Sequence, residues 1–485
     1  MKKLASLKKN LGFQTAYQIS NLCVPIITAP YLARALGAEQ LGVFSYTDSI
    51  IQYFILFSML GVITYGTRSI AAVRDCKEKV REVFSSIFGM QCLTALTISI
   101  FYIIYLYFFC KNNLPISSIQ IIYLLNCMCN ISWLFFGLEQ FKIVLVRNFI
   151  VKVLSVICIL LFVKERTDLW IYVLIISMST FLSEIVLWLN LPREYFKIPD
   201  INKILIHIKP NILLFIPLLA MSVYHIMDKT MLGALSNSYQ SGCYYNADKI
   251  INVPICIISG INTVFLPRIT ALFAQNRVSE ANGMFVRSLQ LVILIASAIG
   301  FGIMSISEEF VPFFFGEGYN ECILLLEIMA PILVIKGYAL TVRQEFLIPK
   351  KLESKYIASV IFGSLVNLIA NFLLIPNYGA IGAAYGTIIA ESCACIWQYI
   401  AIARHISLKN IILKTCRYIF CGIVMYLSVK NLGNYILTSK VSLLVLKILG
   451  GASIYAFSVL VCWKIFGDDV IGLSLDTVVK RRLIK

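Results

Sequence analysis

The sequence predicts an all-α polytopic membrane protein of about fourteen transmembrane helices. Three observations predict it: an excess of apolar residues, their recurrence in runs of bilayer length, and an alternation of Lys and Arg between successive loops. Of 485 residues, 59% are hydrophobic and only 14% charged, with a mean hydropathy of +0.84. Soluble domains average about 45–50% apolar and about 25% charged. A chain this greasy cannot cover itself with polar groups, so most of its surface must face lipid. Disordered, collagenous and disulfide-scaffold classes are excluded, as is a cytosolic enzyme.

A membrane-spanning helix needs roughly 20 apolar residues. Runs of that kind lie near 12–36, 42–65, 83–109, 116–138, 147–163 and 169–191, then near 210–233, 247–267, 286–307, 320–342, 356–376 and 380–403, with a final pair near 415–430 and 441–466. Membrane helices collect Lys and Arg on their cytoplasmic loops. Here the basic residues gather at the N-terminus and in 67–82, 139–152, 193–209, 268–287, 343–355, 404–417 and 464–485. The intervening loops hold only Lys111, Lys164, Arg166, Lys430 and Lys440, while Arg34, Lys229, Lys249, Lys336 and Lys447 fall within or at the ends of helices. That pattern places both termini in the cytoplasm. The net charge of +17 is thus a topology signal rather than a nucleic-acid footprint. The fifteen Cys sit mostly in apolar runs and show no C-x-x-C spacing, so neither a disulfide framework nor a metal site is implied. The basic start followed by an apolar stretch is too long and too interrupted for a cleaved signal peptide.

The two sets of six helices repeat one another. Gly42-Val-Phe-Ser-Tyr-Thr-Asp48 reads against Gly242-Cys-Tyr-Tyr-Asn-Ala-Asp248, each preceded by Leu-Gly-Ala, and Arg68 matches Arg268 at the same offset. Glu139-Gln-Phe141 has a cousin in Gln344-Glu-Phe346. The expected organisation is a six-helix bundle over 1–200, its repeat over 201–408, and a C-terminal helix pair with a basic tail over 409–485. Parallel repeats of this kind enclose a pathway in transporters.

Several motifs resemble one family. Tyr31-Leu-Ala-Arg34-Ala-Leu-Gly37 with Gly42–Tyr46, Tyr65-Gly66-Thr-Arg68 with Arg74-Asp75, Trp133-Leu-Phe-Phe-Gly137-Leu-Glu139-Gln-Phe-Lys142, and Asp228-Lys229-Thr-Met-Leu-Gly233 running through Gly242–Ile250 to Leu266-Pro-Arg268 resemble the signatures of the Wzx-like polysaccharide flippases. These belong to the multidrug, oligosaccharidyl-lipid and polysaccharide exporter superfamily. The resemblance covers roughly residues 8–403. It implies a MATE-like fold of two bundles around a central cavity. It also implies a substrate, an undecaprenyl-diphosphate-linked oligosaccharide moved from the inner to the outer leaflet for O-antigen, capsule or exopolysaccharide.

A charge at the bilayer centre costs at least about 2.5–3.5 kcal/mol on insertion scales, so charges retained there are expected to line a wet cavity or to be paired. For an anionic diphosphate the candidate contacts are Arg34, Lys229, Lys249 and Lys336, with Arg68 and Arg268 at the inner mouth. Arg grips phosphate bidentately, and Lys acts as a point charge. The competing expectation is internal pairing of Arg34 with Asp48, and of Lys229 or Lys249 with Asp228 or Asp248. Lys249 could also snorkel to the outer interface, and Arg68 and Arg268 could merely mark topology. Asp48, Asp228, Asp248 and Glu391 are candidates for binding a coupling ion, H+ or Na+. Glu391 is mid-helix with no basic neighbour in sequence, and Lys336 is its candidate partner. Glu184 and Glu327 lie nearer helix ends and are expected to be solvated.

Pro25 and Pro30 in the first helix and Pro210 and Pro217 in the seventh should bend the helix that opens each half. Tyr17, Tyr46, Tyr224, Tyr244 and Tyr245 are candidates for stacking on sugars or for the interfacial belt. His207 and His405 read as interface residues. The absence of a G-x-x-x-x-G-K-[ST] loop argues against ATP hydrolysis by this chain. No cofactor is implied. The expected partners are the lipid-linked oligosaccharide, membrane lipids and a polysaccharide polymerase with its chain-length machinery, not nucleic acid. The expected location is the bacterial cytoplasmic (inner) membrane. Within the same superfamily, a lipid II flippase would need a more cationic cavity and a MATE-type drug or cation antiporter a more acidic one. A membrane polymerase or ligase usually carries a large outer loop, which is missing here.

Overall fold

The computed structural model describes residues 2–110, 113–195, 200–403, 405–406, 408–432 and 440–466. Side chains are described from residue 24 onward, apart from those of residues 25, 193, 202, 217, 220, 408–410 and 440. The side chains of the N-terminal basic cluster, of Tyr17, of Pro25 and of Pro217, together with Lys111 and the basic tail beyond Phe466, lie outside the described residues. The described residues are helical and include no strand. Contacts divide the chain into two compact units, 1–242 and 243–485.

The first unit holds α1 (Lys2–Met59), α2 (Val62–Val73), α3 (Lys77–Phe109), α4 (Leu114–Ile119), α5 (Ile121–Cys129), α6 (Ser132–Gly137), α7 (Phe141–Phe162), α8 (Leu169–Leu189), α9 (Ile201–Ile206) and α10 (Ile208–Leu235). At 58 residues, α1 would run about 87 Å if straight, far more than one bilayer core. It breaks at Gly37, whose φ of 78° an L side chain seldom adopts. This break lies between the two anticipated spans, one turn or more beyond Pro30. In the region of α10 the bend falls where the prolines predict it: Lys203–Ile216 and Met221–Leu235 meet at 66°. Leu60, with φ 46°, and Gly61 separate α1 from α2.

The core of this unit gathers Val62, Ile70, Phe84, Ile87, Trp133, Leu134, Phe135 and Leu187. Two of the family-like motifs meet there. Gly66 leaves room for the Trp133 ring, since a Cβ would stand 2.5 Å from Cε3, and Gly137 packs in the same way on Ile70. The Trp133 indole donates to Gln91 Oε1 at 2.9 Å, and the Gln91 amide donates to the carbonyls of Cys127 and Asn130. Arg74, just past α2, pairs with Glu139 after α6. These signature residues thus hold α2 to α6.

α11 (Ser238–Ala274) leads into the second unit, where α12 (Val278–Phe315), α13 (Asn320–Met329), α14 (Ile332–Thr341), α15 (Glu353–Ala403), α16 (Leu408–Leu432) and α17 (Lys440–Phe466) follow. α12 is the hub, packing on α13, α14, α16 and α17. α15 breaks at Gly379, with φ 53° and ψ −127°, between the two runs anticipated for it. Asn320–Met329 and Ile332–Leu347 meet at 45°, and the second ends in a π-helical turn over Val342–Leu347.

Ten described helices are long and apolar enough to cross a membrane, or twelve if each bent pair is one span. Their outward faces carry large apolar side chains, including Phe101, Leu189, Phe372 and Phe457. This is a multi-pass membrane protein.

Candidate functional site

In the first unit the polar side chains of α1 gather where α10 packs against it. Asp48, Ser49, Gln52 and Tyr53 recur at helical spacing and so share one face. Ser49 Oγ accepts from Thr230 Oγ1 at 2.9 Å, and Tyr53 hydrogen-bonds with Thr230 within the field of Asp228. Gln52 Nε2 reaches Asp48 Oδ1 at 3.4 Å. Asp228 is buried, Lys229 half-buried, and both engage further groups, as do Arg34 and Asp48. Arg34 lies on an exposed face of α1 one turn before the Gly37 break, and Arg68 is exposed on α2. The opening signature and the Asp228–Gly233 run are in contact here: a Cβ on Gly233 would stand 2.3 Å from Tyr46 Cδ2.

Two glycines at the repeat offset also meet within this unit. A Cβ on Gly42 would stand 1.7 Å from the Ser238 carbonyl oxygen, and one on Gly242 would stand 1.8 Å from that of Ala38. Each glycine thus faces the residue four places before the other, an arrangement open only to residues without a side chain.

In the second unit the expected partner of Glu391 is present. Lys336 Nζ on α14 lies 3.9 Å from Glu391 Oε1 on α15, and both side chains are largely withdrawn from the surface. Asp248 accepts from Asn252 Nδ2 at 2.8 Å, and Lys249 Nζ sits 4.0 Å from the centroid of the Tyr245 ring one turn back. Both groups engage others besides. Arg268 is exposed near the end of α11. Tyr244, a candidate for sugar stacking or the interfacial belt, is neither: its ring is buried, with its hydroxyl 3.1 Å from that of Thr387.

The structure corrects the reading of Glu184. It is buried rather than solvated, paired with Arg147 at 3.2 Å, each side chain only 5% exposed. Arg147 Nη1 also donates to the Ser183 carbonyl, and Nε and Nη2 donate to Asn148 Oδ1. Arg147 is therefore an internal charge and not a free topology marker. Its sequence signal was its place at the start of the apolar run near 147–163. Glu327 is likewise drawn into contacts, accepting from Ser307 and lying 4.0 Å from Lys430, which also reaches Glu308. Two further acids escaped the sequence reading, Glu345 buried and Glu309 half-buried. Glu309 holds the buried Lys447, and Glu345 in the π-helical turn accepts from Ser288 Oγ at 2.8 Å. Just beyond that turn, burial and the nearby Lys355 lower the pKa of Lys350, whose ammonium lies 4.9 Å from the Phe346 ring centroid.

What this arrangement offers is a set of mixed, mostly satisfied charges on otherwise apolar helices. No group of three or more His, Cys, Asp or Glu able to hold a metal occurs among the described residues.

Comparison with known proteins defines the class. Residues 7–273 match the family of polysaccharide biosynthesis proteins, more than half of the chain, and the chain belongs to that family. A protein of Escherichia coli (strain K12) described as an O-antigen transporter is 25% identical over 395 residues, which is 80% of this chain and 94% of that one. The lipid II flippase MurJ, in an inward closed conformation, superposes with a TM-score of 0.74 at 16% identity, over 94% of this chain and all of MurJ. An inward-facing multidrug resistance MATE transporter of the MOP superfamily gives 0.63 at 15% identity, over 80% of this chain and 95% of that one. The fold is thus shared with MurJ and with a MATE transporter.

Proposed function

We propose that this chain is a flippase that carries an undecaprenyl-diphosphate-linked oligosaccharide from the inner to the outer leaflet of the cytoplasmic membrane, for assembly of a surface polysaccharide. The observation that carries the reading is the retention of ionisable side chains on apolar helices, Asp228 and Lys229 on α10 and the Lys336–Glu391 pair, in a member of a polysaccharide biosynthesis family. Hydrocarbon does not dissolve a sugar chain or a diphosphate, so such a cargo needs a polar route, whereas its polyprenyl tail can stay in lipid. In this reading Arg34, Lys229, Lys249 and Lys336 receive the diphosphate and glycan in a central cavity, and Arg68 and Arg268 meet the headgroup at the cytoplasmic mouth. Asp48, Asp228, Asp248 and Glu391 bind the coupling ion, H+ or Na+.

The proposed topology has fourteen crossings and cytoplasmic termini. The two longest helices each count as two crossings, divided at Gly37 and Gly379, which brings twelve to fourteen. The repeats extend over 1–200 and 201–408, the helix pair over 409–485, and transport proceeds by alternating access. Polymerase and chain-length proteins are the proposed downstream partners.

The test is complementation of a strain lacking the gene. Arg34→Ala or Lys229→Ala lowers surface polysaccharide and leaves lipid-linked oligosaccharide accumulating in the cell, with the protein still present in the membrane. Unchanged export by both variants refutes the assigned roles. Normal polysaccharide in the strain without the gene refutes the function.

A further inference from the structure

In the first unit a cavity of about 620 Å3 opens beside the Gly42 contact, walled by Tyr46, Tyr105, Phe108, Phe109, Asn113 and Ser238. We propose that it is a carbohydrate-binding subsite for the glycan of a lipid-linked oligosaccharide. The proposal rests on the flippase reading for the source of the glycan, while sugar binding itself is argued from the walls.

Tyr105, Phe108 and Phe109 of α3 line the cavity, and a ladder of rings extends behind them to the buried Tyr102. Tyr102 and Tyr105 stack with centroids 6.0 Å apart and planes 24° apart, and Tyr105 and Phe109 stack at 6.0 Å and 10°. These residues stand at i, i+3 and i+7, one face of a helix. Across from them, the Tyr46 ring is fixed against the bare Cα of Gly233, where a Cβ would collide with it. A pyranose offers C–H faces that pack on flat rings and hydroxyl edges that demand hydrogen bonds. The lining residues supply both kinds of group, with rings from α3 and hydrogen-bonding side chains among Tyr46, Tyr105, Asn113 and Ser238. An acyl chain has no use for those polar groups. Neighbouring Tyr107, 79% exposed and T-shaped against Phe108, is absent from the walls and behaves as an interfacial ring.

The experiment uses the full chain in lipid nanodiscs and saturation-transfer NMR with a panel of free trisaccharides as probe, competed with lipid-linked oligosaccharide extracted from the expressing cells. Saturation passes to sugar ring protons, and the lipid-linked competitor displaces the probe. Tyr105→Leu weakens binding about three- to tenfold, the scale of one aromatic stacking contact, and Phe109→Leu does the same, while Tyr107→Leu changes nothing. No transfer to sugar, equal binding by the Tyr105 and Phe109 variants, or transfer to nanodisc acyl chains alone overturns the subsite. Sugar binding that the lipid-linked competitor cannot displace overturns the proposed source. These readouts are independent of export, so their failure is distinguishable from failure of the flippase reading in the complementation assay.

Discussion

The Arg147–Glu184 pair gives the sharpest energetic test. At 3.2 Å the two charges attract by about 5 kcal/mol at an effective dielectric near 20. Bringing both out of water costs several kcal/mol per ion, so the net worth of the pair is small even though each member depends on the other. Glu184 Oε2 has no hydrogen-bond partner among the described residues, and besides Arg147 the carboxylate has the Ile131 backbone N–H. Glu184→Leu strands the guanidinium in the bundle, and Arg147→Met strands the carboxylate. Each single change should destabilise by about 3–5 kcal/mol. The double variant Arg147→Met with Glu184→Leu removes both charges and should recover most of that loss, with a coupling of at least about 2 kcal/mol. Thermal denaturation in nanodiscs, followed by fluorescence-detected size exclusion, orders the four proteins. If the two single variants melt with the parent, or the double variant is the sum of the singles, the pair is not the buried, mutually dependent unit described.

Three further outcomes follow from particular contacts. Gly42→Ala forces a methyl onto the Ser238 carbonyl oxygen and should cost about 3 kcal/mol, the upper end of overpacking penalties, while Gly260→Ala, with open space around it, should cost little; melting temperature separates them. Gly37→Ala places a side chain at φ 78° and should lose about 1–2 kcal/mol, read by the same assay; a gain in stability would mean that the break is not built on that conformation. If Glu391 carries the coupling ion, Glu391→Gln leaves the protein folded and makes export insensitive to collapse of the ion gradient. Export that stays as gradient-dependent as the parent's removes Glu391 from that role.

The sequence by itself determined the membrane class and the apolar segments, and it offered Lys336 as the candidate partner of Glu391. The first two rest on composition and one-dimensional periodicity, which fix what a segment must face whatever it packs against. The candidate was legible because a mid-helix acid with no basic neighbour must find its cation elsewhere. Gly37 and Gly379 were visible as glycines between apolar runs, but only the backbone shows that the helix runs up to them and breaks there. Burial of Glu184 and Glu345, and the partial burial of Glu309, were decided by tertiary structure alone. Whether a charge near a helix end meets water or a neighbouring helix depends on rotation and depth of packing, and these are set by contacts between residues far apart in sequence. The same holds for the motifs. Gly66, Trp133 and Gly137 were legible as a signature, yet only their packing shows that they fasten α2 to α6.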